Sequence, residues 1–233
     1  MYKGLVHFHS CYSYDSVTSI ASIVSFAEKN ELNFLILTDH DSIKGSIALK
    51  NYIEEANINL EIIVGAEYKT DCGDIIAIGI DSEIFNMDFD IFVQDVKRQG
   101  GITLFPHPYV GHKNIEYIAE KVDMIEVFNS RVSDDLNFKA TILANKYKKN
   151  TYFSSDAHLL FDLGNSIVEF KKNGDLINSI LTSNMIKISE KKTKYLSVIL
   201  SQLIKSVKKK DFNLFTSNIY LLIRKFNLLW SKV

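Results

Sequence analysis

The chain has six histidines, His7, His9, His40, His107, His112 and His158, and all but His112 stand at or just past the end of an apolar run. Carboxylates stand with them: Asp39 and Asp41 flank His40, Glu67 and Glu126 close runs of their own, and Asp156 precedes His158 by two residues. A lone histidine at such a place is ordinarily a hydrogen-bonded structural residue. Five at equivalent positions, each near a carboxylate, are the donor set of a metal centre. In His7-Phe8-His9 the period-two alternation of a strand would put both imidazoles on one face and Phe8 in the opposite layer. Asp156-Ala157-His158 repeats that spacing. Imidazoles joined by carboxylates make a mixed nitrogen and oxygen site that suits Zn, Mn or Fe. The only two prolines, Pro106 and Pro108, bracket His107; they should stiffen that segment and bias His107 to an extended conformation. Asp39 is placed to hold the His40 imidazole from behind, as ligating histidines usually require. Asp41 reads as the N-cap of a helix beginning near Ile43.

The elements that must position these groups follow a regular pattern. Short apolar runs at Leu5–His9, Phe34–Thr38, Ile62–Ala66, Ile75–Ile80, Ile102–Phe105, Met124–Phe128 and Thr151–Phe153 are bounded by Gly, Asp or Pro. They read as buried parallel strands. Segments of helical spacing lie between most of them, such as Thr18–Asn30, Ser42–Ala56 and Ser133–Lys149, so the fold class is α/β with a parallel sheet and helical crossovers. An open doubly wound sheet would gather its functional residues near one switch point. Contributions from the ends of six or seven successive strands favour a β/α barrel with its site at the C-terminal face.

The run LVHFHSCYSYDS, then LTDHD, GAE, FPHPY, IEVFNSR and SSDAH, in this order, resembles the polymerase and histidinol phosphatase (PHP) superfamily over about residues 3–166. The block from IEVFNSR through SSDAHLLFDLGN is similar to the C-terminal motif of a PHP-associated subgroup that includes exonuclease-like phosphoesterases. The resemblance implies a distorted seven-stranded (β/α)7 barrel, TIM-like, with a binuclear or trinuclear site of divalent Mn, Zn or Fe. Carried over by position, one ion would be held by His7, His9, Glu67 and Asp156, and another by Asp15, His40 and His158. A third would share Glu67 with His107 and one more ligand. The strand after the glutamate usually presents a histidine where this chain has Asp74, which would ligate through oxygen or leave that site weak. The resemblance also favours Arg131 as a bidentate grip on phosphate over a surface ion pair with Asp134 or Asp135. Asn129 would orient the substrate or a ligand. His112 would protonate the leaving group or line the pocket, with a solvated loop position as the alternative.

Such a site fits a phosphate ester. Metal ions roughly 3.5–4 Å apart clamp the attacking and leaving oxygens of a phosphoryl displacement and supply hydroxide near neutral pH. The expected substrate is a nucleotide, an oligonucleotide 5′ end or a small-molecule monophosphate, hydrolysed by a phosphatase or a 5′–3′ exonuclease-like enzyme. A metal-binding module without catalysis, and a carbon–nitrogen or ester hydrolase on a similar barrel, are the alternatives. No nucleophilic serine or cysteine is needed, and Cys11 reads as a small buried residue.

With 233 residues, 46% of them hydrophobic, the chain can bury one sizeable core. Its net charge of −1 excludes nothing, but residues 191–233 carry ten Lys/Arg against one acid, a net of +9, which leaves −10 for residues 1–190. A boundary near 190 therefore separates a barrel, 1–190, from a basic helical extension, 191–233. Residues 192–209 read as a helix with Leu196, Ile199, Leu200, Leu203, Ile204 and Val207 on one face and lysines on the other. That face is expected to cover the barrel or a second copy of the chain; a basic amphipathic helix also suits nucleic acid or another polyanion. The start lacks the apolar core of a signal peptide. No uncharged apolar run reaches the roughly 18–20 residues that span a bilayer. Two cysteines make a poor disulfide framework. A cytoplasmic protein is the expectation.

Overall fold

The computed structural model describes residues 1–230. In chain order the elements are β1 (Tyr2–Val6), α1 (Ile20–Lys29), β2 (Phe34–Ile36), α2 (Lys44–Glu55), β3 (Glu61–Ile62), β4 (Gly65–Thr70), β5 (Gly73–Ile78), α3 (Phe89–Arg98), β6 (Ile102–Phe105), α4 (Ile115–Lys121), β7 (Met124–Asn129), α5 (Asp134–Tyr147) and β8 (Asn150–Ser154). A 3-10 turn (Leu160–Asn165), β9 (Ser166–Phe170), α6 (Leu176–Thr182), β10 (Ile186–Glu190), α7 (Tyr195–Lys208) and α8 (Phe212–Trp230) complete the chain. No helix among the described residues is long and apolar enough to cross a membrane.

The strands form two five-stranded sheets, in the orders β10-β9-β1-β2-β3 and β4-β5-β6-β7-β8. The α/β class stands, but no continuous ladder closes the strands into a barrel. Among the described residues, the backbone pairing that joins the two sheets is by isolated parallel bridges, Phe8 with Ala157 and His40 with Glu67. Nor is the pairing parallel throughout. β5 pairs antiparallel with both β4 and β6, because only Asp71 and Cys72 separate β4 from β5, too few residues for a crossover. β9 runs antiparallel to β1 and β10. The single run expected at Ile62–Ala66 is two strands, β3 and β4, that belong to different sheets.

One apolar cluster lies between the sheets, with Val6, Phe34 and Ile36 facing Ile76, Ile78, Leu104, Met124 and Tyr152. A second packs α1 and α2 on β1 and β2 and takes in Phe8 with Ile23, Val24 and Leu49. A third packs α3, α4 and α5 on the other sheet. Local signals start the helices. The Ser19 hydroxyl caps α1 by accepting from Ser22 N, and Asp88 caps α3 by accepting from Asp90 N and Ile91 N. Asp41 does not cap α2. Ser42 Oγ accepts from Lys44 N at 3.2 Å, the distant Glu83 carboxylate accepts from Ile43 N at 3.2 Å, and Asp41 Oδ1 accepts instead from Lys69 N at 2.9 Å.

Past Glu190, α7 docks on the segments at the strand ends, near Arg131, Asp162 and residues 11–16. Of the expected apolar stripe Ile199 is buried and Leu200, Leu203 and Ile204 are half-buried, whereas Leu196 and Val207 are 42% and 63% exposed, and Ser197, Ser201 and Ser206 are buried as well. Small side chains let the helix approach closely, and α8 packs against it from outside. The side chains after Arg224, Trp230 among them, lie outside the described residues.

Candidate metal centre

The chain leaves regular strand geometry where the site begins. His7, Asp41, His107 and Asp156 have φ of +56°, +56°, +29° and +46°, a region that non-glycine residues rarely occupy. Strand alternation therefore does not align His7 with His9. A left-handed residue just past β1 turns the chain, and both rings still converge: their Nε2 atoms lie 3.6 and 3.3 Å from Asp156 Oδ1 and 3.5 Å each from Glu67 Oε2. His107 is not extended either. Its N–H donates to Glu126 Oε2 at 2.6 Å, its carbonyl accepts from Val110 N, and its Nε2 lies 3.1 Å from Glu67 Oε1. These three ties outweigh the preference imposed by Pro108. Backbone strain of this kind concentrates where a site dictates side-chain positions.

The ends of both sheets contribute. The segment after β1 brings His7, His9 and Asp15, and the segment after β2 brings His40. β4 carries Glu67, the ends of β6 and β7 carry His107 and Asn129, and the segment after β8 carries Asp156 and His158. Asp15 Oδ2 lies 3.1 Å from His40 Nε2 and 3.2 Å from His158 Nε2. Donor atoms in three sets lie within 4.8 Å of one another: His9, Asp15, His40 and His158; His7, His9 and Asp156; and His7, Glu67 and His107. In the middle of these sets, His7 Nε2 and both ring nitrogens of His9 are buried without a hydrogen-bond partner. Buried polar atoms are rarely left so, and unpartnered imidazole nitrogens beside carboxylates fit a cation.

Electrostatics tie the set together. Burial opposes ionisation of Asp15, Glu67 and Asp156, yet neighbouring imidazoles, joined by Arg131 at Asp156, hold all three carboxyls well below the usual range. Burial likewise disfavours protonated His40, but Glu67 and Asp15 raise it to about 9, and Glu67 raises His107 to about 9 against the same penalty. His7 is held high by Asp156, Glu126 and Glu67, again against burial. His9 is pushed down to about 3 by burial and by the neighbouring His158 and His40. These are metal-free states, in which protons occupy places that cations would take.

Other expected residues take different positions. Asp74 lines the same cavity, pairs with Lys69 at 3.0 Å and belongs to none of the three donor sets. His112 packs beside Phe105 and His107, with Nε2 2.8 Å from the Asp74 carbonyl, and does not line the cavity. Burial and the neighbouring His107 lower it to about 4. Arg131 points into the cavity and not to Asp134, which pairs with Lys192. Its guanidinium donates to His158 Nδ1 at 2.8 Å and to Ser201 Oγ at 3.1 Å. Asn129 Nδ2 donates to Glu126 Oε2 and Asp156 Oδ2 at 2.9 and 3.2 Å. Asp39 does not back His40. Its carboxylate accepts from Ser10 N and Ser10 Oγ, both at 2.6 Å, and so fixes the segment after His9. Cys11 is exposed, Cys72 is buried, and both are free thiols.

Two roles are not foreseen from the sequence, although Glu126 stands there among the carboxylates at run ends. Glu126 backs His7 through Nδ1 at 3.0 Å, the outer carboxylate a ligating histidine needs. Its position three residues before Asn129 in IEVFNSR is the signal that could have found it. The other is the wall formed by α7. The cavity, about 580 Å³, is lined by Tyr14, the ligand candidates and Arg131 on one side and by Val198, Gln202, Lys205 and Lys209 on the other.

A mixed α/β fold that gathers histidines and carboxylates at one end of its strands defines a metal-site class of protein. The chain belongs to the PHP domain family, whose family model matches residues 6–212, a span that runs through α7. It is 28% identical over 142 residues to the Methanocaldococcus jannaschii protein MJ1587, covering 58% of this chain and 80% of that one. Among solved structures it is similar to a two-domain protein from Bacteroides vulgatus containing a predicted PHP-like metal-dependent phosphoesterase. The TM-score is 0.67 at 17% identity, over 81% of this chain and 65% of that protein, just under two thirds of its length. It is also similar to PsfC from Pseudomonas syringae, with a TM-score of 0.63 at 16% identity over 90% of this chain and 98% of that one. At these identities the structural likeness shows the fold alone.

Proposed function

We propose that the protein is a metal-dependent hydrolase of phosphate esters. The observation that carries the reading is the convergence of His7, His9, His40 and His107 on the two oxygens of Glu67, at 3.1–3.5 Å, with Asp15, Asp156 and His158 completing the sets around them. In this reading His7, His9, Glu67 and Asp156 hold one divalent ion, and Asp15, His40 and His158 a second. Glu67, shared with the first ion, and His107 hold a third, with Mn, Zn or Fe as the metals that suit the donors. Divalent ions there supply Lewis acidity toward a phosphoryl oxygen and lower the pKa of a water.

The protein's own groups do the rest. Asn129 holds Asp156 and Glu126 in place through its amide, and Glu126 fixes the His7 ring. Arg131 supports the choice of phosphate: its planar fork lies beside the donor sets, and phosphate is the group such a fork grips bidentately. The test is a metal-by-substrate screen of the purified full chain with nucleoside monophosphates, short 5′-phosphorylated oligonucleotides and sugar phosphates. Phosphate release that depends on added Mn, Zn or Fe and vanishes with chelator is expected. Loading of metal without release from any phosphoester would overturn the hydrolase reading.

A further inference from the structure

α7 borders two hollows. Val198, Gln202, Lys205 and Lys209 line the metal cavity, whereas Leu196, Ser197 and Leu200 line a second cavity of about 620 Å³ that shares no lining residue with the first. At about 3.6 residues per turn the two sets fall on opposite faces of the helix. The rest of the second lining comes from the 3-10 turn, with Phe161, Asp162 and Asn165, and from the segment between β10 and α7, with Lys191, Lys192 and Lys194. Its size is that of a small-molecule site.

Three kinds of chemistry line this hollow. The first is cationic. Lys192 pairs with Asp134, but among the described residues neither Lys191 nor Lys194 has a carboxylate partner. Both precede α7 directly, and Lys194, its N-cap, makes no side-chain cap bond, so the positive end of the helix dipole adds to their charge. The second is apolar: Phe161 and Leu196 are 65% and 42% exposed, and Leu200 is half-buried. The third is a single carboxylate. Asp162 is 3% exposed; its Oδ1 accepts from Asn165 Nδ2 at 3.3 Å and from Ser197 Oγ at 3.4 Å, while Oδ2 is buried without a partner. Burial pushes this carboxyl up in spite of those two bonds. A buried oxygen is rarely left so, and none of the three lysines pairs with it.

We propose that this second cavity binds a guanine nucleotide, with phosphate at Lys191, Lys194 and the first turn of α7, the base against Phe161, Leu196 and Leu200, and an N–H of the base donating to Asp162 Oδ2. A simple anion would leave the apolar patch unused and meet the like charge of Asp162. An apolar ligand would leave the lysines unmatched and the carboxylate oxygen unsatisfied. A nucleotide carries all three complements in one molecule. Guanine suits an acceptor-only oxygen because its N1–H and its amine are neighbouring donors, whereas adenine sets the N1 lone pair beside its amine. The cavity is separate from the metal centre, so the proposal stands or falls independently of the phosphoesterase reading.

The test is calorimetric titration of the full chain with GDP and with ADP, which carry the same phosphates and so differ only at the base. GDP should bind at least about tenfold more tightly, the scale of one hydrogen bond to a charged group. Asp162→Asn turns the free acceptor into a donor and should bring the two affinities to within about threefold. Lys191→Met with Lys194→Met should weaken GDP by about tenfold or more, and Lys191→Arg with Lys194→Arg should keep it. Glu67→Gln, a change in the other cavity, should leave GDP affinity as it was. Equal affinity of the unaltered protein for GDP and ADP would overturn the proposal, as would a preference that survives Asp162→Asn or GDP binding indifferent to the methionine pair, each in a protein that melts normally. Loss of GDP binding in a normally melting Glu67→Gln protein would place the nucleotide in the metal cavity and overturn it equally.

Discussion

Glu67 is touched by four imidazoles, three on one oxygen and His107 on the other. Its replacement is the sharpest residue-scale probe of the site. Glu67→Gln keeps the volume and removes the charge, so the raised values of His40 and His107 should relax toward 6.5 and at least one metal equivalent should be lost by elemental analysis. Full metal content in that variant would remove Glu67 from the ligands. The pH dependence has a fixed sign. His40 and His107 titrate near 9 in the metal-free fold and near 6.5 unfolded. They therefore stabilise the metal-free protein fully below about 6.5, and that contribution is lost as pH rises through about 9. Metal binding must displace those protons, so uptake should tighten as pH rises toward 9 and release protons. Titration calorimetry at pH 7.5 in two buffers of different ionisation enthalpy measures the release, and none would contradict the assignment. Arg131→Ala should lower kcat/KM by about ten- to a hundredfold with metal content intact, and Lys should restore only part, since it keeps the charge without the fork.

Among the elements, α2 shows how a site is held from behind. Gly45 lies where an added Cβ would stand 1.9 Å from Asp39 Oδ2 and 3.0 Å from Ser10 Oγ. Gly45→Ala should force α2 outward or break the Asp39–Ser10 bonds, costing about 2–3 kcal/mol, and because Ser10 follows His9 it should also reduce metal content. A thermal melt matching the unaltered protein would refute this. The same scale separates what the sequence discloses from what it hides. β6 is found at Ile102–Phe105 because its apolar residues sit between glycine and proline. The donor residues are legible because burying so many imidazoles and carboxylates together at strand ends is costly unless a cation joins them. The β4–β5 hairpin escapes, since Ile75–Ile80 reads the same whether its neighbour runs parallel or antiparallel. The left-handed turns at His7 and Asp156 escape too, being imposed by contacts between distant segments. α7 misleads most: its pattern suggests an apolar seam, yet serines dock it and its lysines turn inward.

At the scale of the whole molecule the basic tail and the acidic body belong to one site. Deleting residues 191–233 would take Ser201 from Arg131, Lys208 from the segment bearing Asp15, and buried Ile199 from its packing. The truncated chain should aggregate or melt several degrees lower and lose activity, and a soluble, fully active truncation at 190 would disprove that. A mechanical consequence lies in how the two sheets meet. Their bridges, Phe8 with Ala157 and His40 with Glu67, lie at or beside donor residues on both seams. His7, His9 and His40 come from one sheet's strands, and Glu67, His107, Asp156 and His158 from the other's. Cations between them would act as rivets through a split shell, so that the same ions would serve chemistry and hold the halves in register. Chelation should then speed amide hydrogen exchange at both seams together while β6 and β7, deep in one sheet, stay protected.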